Sequence, residues 1–482
     1  MKNKISVLIF SLSFVYCLST HAAEKVDQII DRVVAAYGGD KLKNLRSYTI
    51  SKKFLAPAQG QSHTPDLEQI GYNAQYLVVD IENGQARIES LFEGRGGVFQ
   101  NAVITDSKTA TALNFQAGTF GSAQQPDVYA LAGGSMRTSD AVLAYELQKS
   151  RDKAKYLGTA LYLNRIHETI EVPFPLSPNL TLWVDRETGL ISRMVRINPI
   201  LGQLDYVFSD WKTDNGIAYA KSTNFMIAGV PNLISLRNES TFNRDTAADL
   251  FKVPANLVSE GERIDTTEMA MTTIARNVSH VGQTGVFSMF VDSSAGLIAV
   301  GGSAGLAQRL AHFRKETGNY KPLAYQIVTH HHNDHLAGMQ DAVAAGATLV
   351  TVADNIATIK RDGLTPEAPF QSMNERLTLG EGKNRVEIYE VSTIHAARFL
   401  VTYVPAEKLI FIADHMNSPF KTGIPQANLN TMSMWAALEK LDLDFNKIAV
   451  AHGARIFSKK DMAQSVANYH PSVCVGARPV CK

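Results

Sequence analysis

Val26, Ile29, Ile30, Val33, Val34 and Tyr37 recur at three- and four-residue intervals and stop at Gly38-Gly39. That is the spacing of one apolar helix face with a glycine exit. After it the period shortens. The stretch QYLVVDIENGQARIESLF, residues 75–92, runs through Asn83-Gly84, which predicts two strands joined by a tight hairpin. Residues 181–197 and 206–227 repeat the order strand, polar turn, strand. One more helix is predicted near 138–150. The first half of the chain therefore predicts an antiparallel sheet with one or two covering helices.

Between 250 and 268 apolar residues thin out and polar ones gather, and a domain boundary is placed near 262. Beyond it the pattern alternates. A hairpin is predicted at 286–302, a helix at 303–317, a strand at 324–330, a helix at 336–345 and a strand at 347–352. Further strands fit 386–391, 398–404, 408–413 and 447–451, with a helix at 431–442. Helices and strands taking turns predict a layered domain, so the fold class expected is α+β overall.

Composition changes this picture at both ends. Lys2 and Lys4 precede an apolar run from Ile5 to Leu18 and the small residues Ala22 and Ala23, the make-up of a cleaved signal peptide. Residues 1–23 are set aside on that ground, and a periplasmic or secreted protein is expected. The domains are then 24–262 and 263–482, two cores being the default for a chain of this size. Cys474 and Cys481 lie in the tail of an exported chain, where pairing is expected. Lys plus Arg number 47 against 46 for Asp plus Glu. Without a long single-sign run, no electrostatic footprint for nucleic acid or an anionic membrane is visible. The partner expected is a small molecule, apolar or acyl-bearing, and no membrane span is expected.

The chemistry concentrates in THHHNDHLAG, residues 329–338, which holds His330, His331, His332, Asp334 and His335. On an extended chain His330 and His332 face the same side, and Asp334 and His335 follow as the chain turns into a helix. One loop can thus grip two cations with imidazole and carboxylate, the donors that catalytic zinc takes. A polyhistidine surface loop would have no partners downstream. Here His395 follows a strand ending at Val391, Asp414 ends the apolar KLIFIAD, and His452 ends KIAVAH before Gly453. Strand ends of this kind are where sites assemble in α/β sheets. His331 is the free position between two ligands and is expected to point away. His415 either lines the cleft or packs beneath it. His63, His167, His280, His312 and His470 have no spaced partner and are left out.

This constellation resembles the metallo-β-lactamase superfamily over residues 270–457, through THHHNDHLAG, His395, FIAD and VAHG. The resemblance implies a C-terminal αββα sandwich with His330, His332 and His395 on a first metal. It implies Asp334, His335 and His452 on a second, with Asp414 bridging. Three departures stand out: Ile394 where the family often has glycine, Ala413 before Asp414 where it often has glycine, and glycines around GLIAVGG where it tends to carry an aspartate. The N-terminal region loosely resembles the half-barrels of periplasmic lipoprotein carriers and sorting proteins. The carrying residues are AYGG, LWVDRETGLISRM and YVFSDWKTDNGIAYAKS, and a concave face able to hold an acyl chain would follow.

The function expected is an exported hydrolase with two Zn2+ per chain, iron or manganese being the other metals considered. A hydroxide bridging the metals would attack an ester-like, lactone or amide-like bond, with Asp334 catalytic as well as ligating. The rim is placed at 361–376 and 415–430, where Phe370, Pro419, Phe420 and Lys421 mix apolar and basic character and fit a substrate bearing a carboxylate. The alternatives are a β-lactamase proper, an oxygenase of the same fold with a single iron, and a non-catalytic lipid- or ligand-binding periplasmic protein.

Overall fold

The computed structural model describes residues 25–471, apart from 59, 66, 95, 124 and 200, together with 479–481. The expected signal peptide and Cys474 lie outside the described residues; Cys481 is disulfide-bonded. No helix among the described residues is long and apolar enough to cross a membrane.

The strands from Ser47 to Ser259 form one 14-stranded sheet. It is a meander in two halves, Ser47–Ser122 and Lys155–Phe242. The halves are joined because the strand Ser47–Ala58 pairs with both Gln69–Asp80 and Val230–Phe242. All neighbours are antiparallel except the edge pair Val258–Ser259 on Thr119–Ser122. The hairpins predicted from their turns are present. Gln69–Asp80 meets Gln85–Gly94 through Gly84 at φ 64°, and Gly202–Asp214 meets Ile217–Ile227 through Asn215 and Gly216, both at positive φ. Two left-handed residues in a two-residue loop match the twist of the strands they join.

Three helices cover one face of this sheet: 25–36, Val128–Met136 and Asp140–Lys149. Ile29, Ile30 and Val33 are fully buried against Leu182, Val184, Met194 and Phe208, so the helical spacing at the start of the chain is a packing face. The helix Val128–Met136 escaped the sequence pattern because VYALAGGSM carries two glycines. It forms because the Asp127 carboxylate accepts from the amides of Tyr129 and Ala130, both at 2.9 Å, and because Ala132 and Met136 are buried. The helices fill most of the face. A cleft of about 240 Å³ lined by Tyr48, Val79, Tyr129 and Tyr145 opens beside them, smaller than the roughly 300 Å³ at which small-molecule sites begin.

The second half is a sandwich of two mixed sheets. One runs from Ala270–Ala275 to Phe370–Met373 in seven strands, the other from Arg376–Leu379 to Phe457–Ser458 in six. Strand alternation divides the core. Met289 and Val291 face the space between the sheets, where Ile388, Val401 and Ile410 also lie. Phe290, between them, faces outward onto Leu310 and Phe313 of the helix Leu306–Thr317. Leu429–Leu441 and Lys459–Ala467 contribute Met434, Leu438 and Met462 on the other side. The α+β class and the C-terminal layered sandwich are as expected.

Lys52 sits on the covered side of the strand Ser47–Ala58 and is 5% exposed. Its ammonium donates to Thr138 Oγ1 at 2.9 Å, and burial pushes its pKa down to about 7. The unfolded chain keeps an ordinary lysine near 10.5. The folded state is therefore penalised most at or below pH 7, and the penalty fades as the pH climbs toward the unfolded value. Lys52→Met is expected to raise the melting temperature at pH 7 by at least about 2 °C, and by less at pH 10. Scanning calorimetry at the two pH values checks this, and a gain that grows with pH would contradict it.

Candidate metal centre

The strand Leu323–Ile327 runs out of the sandwich into Val328, and Thr329 is held by a hydrogen bond from the Leu400 amide to its carbonyl at 2.7 Å. His330, His331 and His332 follow. The chain then enters the short helix Asn333–Leu336, with His332 as its N-cap. This turn is compressed against the loop 301–305. A Cβ at Gly338 would lie 2.4 Å from the Ser303 carbonyl oxygen and 2.6 Å from that of Gly302, so this position accepts no side chain; one at Gly302 would meet the movable end of Met339 and come 3.0 Å from the His335 carbonyl oxygen. The glycines found where the family tends to carry an aspartate thus allow close approach of backbone. Arg309 pins that loop from beneath: its guanidinium donates to the Ser303 and Ala304 carbonyls and to Ser288 Oγ at 2.6, 2.7 and 2.9 Å.

His395 lies in the loop after Val386–Val391. Asp414 follows Leu409–Phe411, and His452 follows Lys447–Ala449. The residue before Asp414 is Ala413 at φ 42°, which explains a preference for glycine there. Alanine at this angle stores roughly 1 kcal/mol or more of strain.

The seven side chains converge. His330, His332, His395 and Asp414 form one group able to hold a cation, and Asp334, His335 and His452 form a second. Asp414 reaches both. Its Oδ2 lies 2.8 Å from His395 Nε2 and 3.2 Å from His330 Nε2, while its Oδ1 lies 2.8 Å from His335 Nε2 and 3.0 Å from His452 Nε2. Asp334 Oδ2 is 3.2 Å from His452 Nε2.

The donor set fits cations. Asp414 Oδ1 is buried and makes no hydrogen bond despite its two close nitrogens, so these atoms aim at a shared point and not at one another. Imidazole nitrogens also face imidazole nitrogens, His395 with His330 at 3.2 Å and His452 with His335 at 3.3 Å, an arrangement that lone pairs alone disfavour. His332 Nδ1 is buried without a hydrogen-bond partner. In the first group the protonation states agree with ligation. Burial, helped by His332 and His335, holds His330 well below its ordinary pKa, and burial takes His332 down to about 3. For Asp414 burial works toward a higher value, but His335 and hydrogen bonds from His330, His335 and His395 outweigh it and keep the carboxyl ionised. The neighbouring carboxylates of Asp334 and Asp414 lift His452 to about 10. Two carboxylates that draw a proton so strongly also attract a dication.

Other expectations divide. His331 is buried beside His332 and belongs to neither group. His415 is fully buried beside His395, its ring 5.3 Å away, and bonded to the Ile412 carbonyl and Thr393 Oγ1; it borders the floor of the cleft. His280 and His167 are structural, bonded to the Val450 carbonyl and to the Arg165 carbonyl with Ser192 Oγ. His63, left out of the sequence reading, stands at the site: its Nε2 is 3.0 Å from the Thr393 carbonyl and its own carbonyl accepts from Ala397. Arg309 was also missed.

A cleft of about 530 Å³ between the two halves reaches Asp414, lined by Met416, Pro419, Phe420 and Ile424 and by Asn114, Thr119, Asn417 and Asn428. The expected rim is corrected here. Lys421 is tied by an ion pair to Glu262, and Phe370 lies in the seven-stranded sheet, packed on the helix-side core with Lys360 over its ring. Only the 415–430 segment contributes.

No family model matches the chain, and no curated protein matches it. Solved structures do. A metal-soaked flavodiiron core from Synechocystis sp. PCC6803 is 13% identical with a TM-score of 0.34, over 42% of this chain and 61% of that one. A metallo-β-lactamase from Pontibacter korlensis is 16% identical with a TM-score of 0.32, over 42% of this chain and 98% of that one. Rubredoxin oxygen:oxidoreductase from Desulfovibrio gigas is 15% identical with a TM-score of 0.34, over 41% and 60%. The overlap falls in the C-terminal part of the chain, and the proteins it is similar to are of the metallo-β-lactamase fold. The match with the first of the three spans about three-fifths of that protein's length.

Because Asp414 serves both groups and His452 only one, their removal should differ. Asp414→Ala is expected to lose tight metal binding at both groups, whereas His452→Ala keeps about one ion per chain. Elemental analysis after dialysis reads the difference, with circular dichroism confirming the fold. Equal metal content in the two variants would refute the shared role.

Proposed function

We propose that the chain is an exported, metal-dependent hydrolase with a two-cation centre, zinc being the metal its donors suit best. The observation that carries this is the sharing of the Asp414 carboxylate between two groups of side chains. Bound there, a pair of divalent cations supplies Lewis acidity and an activated water. His330, His332 and His395 would hold one cation, and Asp334, His335 and His452 the other.

The chain's own residues account for the remainder. Asp334 Oδ2 faces the second group, and Oδ1 accepts from Gln61 at 2.8 Å. Oδ1 has capacity for one further hydrogen bond, through which it can orient a nucleophile or take a proton from it. The cleft beside Asp414 excludes water on its Met416, Pro419 and Ile424 side and offers amides and hydroxyls on the other. Glu260, the charged side chain that borders it besides the centre itself, is paired with Arg263. These features support a substrate whose recognised end is uncharged and whose scissile group is an ester, lactone or amide. The leader-like first 23 residues support export.

The test is a panel of chromogenic esters, lactones, lactams and phosphodiesters before and after exhaustive chelation. Turnover is expected to vanish with chelation and return with Zn2+. A neutral p-nitrophenyl ester should exceed its carboxylate-bearing counterpart in kcat/KM by about tenfold, equivalent to roughly 1.4 kcal/mol. Turnover that survives metal removal would sink the reading.

A further inference from the structure

The loop leaving the strand Ser47–Ala58 belongs to the large sheet, yet it ends against the metal centre of the other half. Three of its residues engage three consecutive residues of the histidine motif. The Ser62 carbonyl lies 2.8 Å from His332 Nε2, the Gly60 carbonyl accepts from the Asn333 amide at 3.1 Å, and the Gln61 carboxamide donates to Asp334 Oδ1 at 2.8 Å and to Asn333 Oδ1 at 2.9 Å. The fit is close. Gly60 has φ 68°, and a Cβ there would stand 2.9 Å from the Asn333 side chain. His63 continues the seam to the loop that carries His395.

We propose that this loop is a working part of the centre and that Gln61 is a positioning residue for the second cation group, a reading that rests on the two-cation site. A carbonyl at His332 Nε2 places the ring proton on that nitrogen, which leaves the orphaned Nδ1 with its lone pair for ligation. A carboxamide on Asp334 Oδ1 does the same for a carboxylate whose side chain is 41% exposed: it fixes the rotamer that turns Oδ2 toward His452 and His335. A neutral donor is what this place needs, since it orients the carboxylate without competing for it as an ammonium would. The Ser62 contact is through backbone, so Gln61 is the residue that substitution can interrogate.

The experiment is a titration of the metal-free, full-length protein with Co2+, followed by its visible absorption and by competition with a chromogenic chelator. The wild type is compared with Gln61→Ala and the near-isosteric Gln61→Met. The first ion is expected to bind all three alike, and the second to bind the variants about 10- to 100-fold more weakly. In the wild type, hydrogen exchange across 60–64 is expected to slow on Co2+ loading. Equal affinity for the second ion in wild type and variants overturns the proposal. If neither variant folds, the exchange measurement decides, and unchanged exchange overturns it. A wild type that saturates at one ion overturns the two-cation reading itself, an outcome distinct from a selective failure of the variants.

Discussion

A buried carboxylate shared by four imidazoles is the interaction on which this site depends. Asp414 is reached through a left-handed alanine at the end of a fully buried strand, and both of its oxygens face ring nitrogens. Taking a carboxylate out of water costs several kcal/mol unless positive charge accompanies it. Neutral imidazoles cannot supply that charge. Burial keeps His330 and His332 neutral, so the balance has to come from cations or from protons on the outer histidines. The raised pKa of His452 expresses that demand for positive charge at the meeting point of the two groups.

What holds the ligands against that demand is backbone packed without slack. Gly338 lets two loops touch where any side chain would meet backbone, and Arg309 ties down one of them with three donors. His415 supports His395 through Thr393. A site whose supporting groups are themselves fixed keeps its geometry to a fraction of an ångström, which is what preorganised chemistry requires.

The ligands were legible in the sequence because His330, His395, Asp414 and His452 each follow within a few residues of a strand end, and His332, Asp334 and His335 share one motif with His330. A buried strand announces itself by composition, and a histidine or aspartate just beyond it stands out. The hairpins of the large sheet were legible through their polar turns, where Gly84, Asn215 and Gly216 take the positive φ that glycine and asparagine favour. Other features leave no such trace. Gln61 and Ser62 act through a carboxamide and a backbone carbonyl on residues some 270 positions away, His63 meets a loop 330 positions away, and a backbone carbonyl has no sequence signature. Arg309 reads as one more basic residue on an amphipathic helix. Lys421 and Phe370 were placed on the rim by residue type alone; one found a carboxylate in the linker and the other a neighbouring strand.

The seam at residues 60–63 bears on modularity. Composition changes near residue 262, and a gene cut there would yield a fragment with every imidazole and carboxylate of the centre. That fragment would nonetheless carry an unset tautomer at His332 and a freely turning Asp334, because the atoms that decide both belong to Gln61 and Ser62, in the loop that leaves the strand Ser47–Ala58. The unit of architecture and the unit of chemistry in this chain are therefore not the same piece of polypeptide.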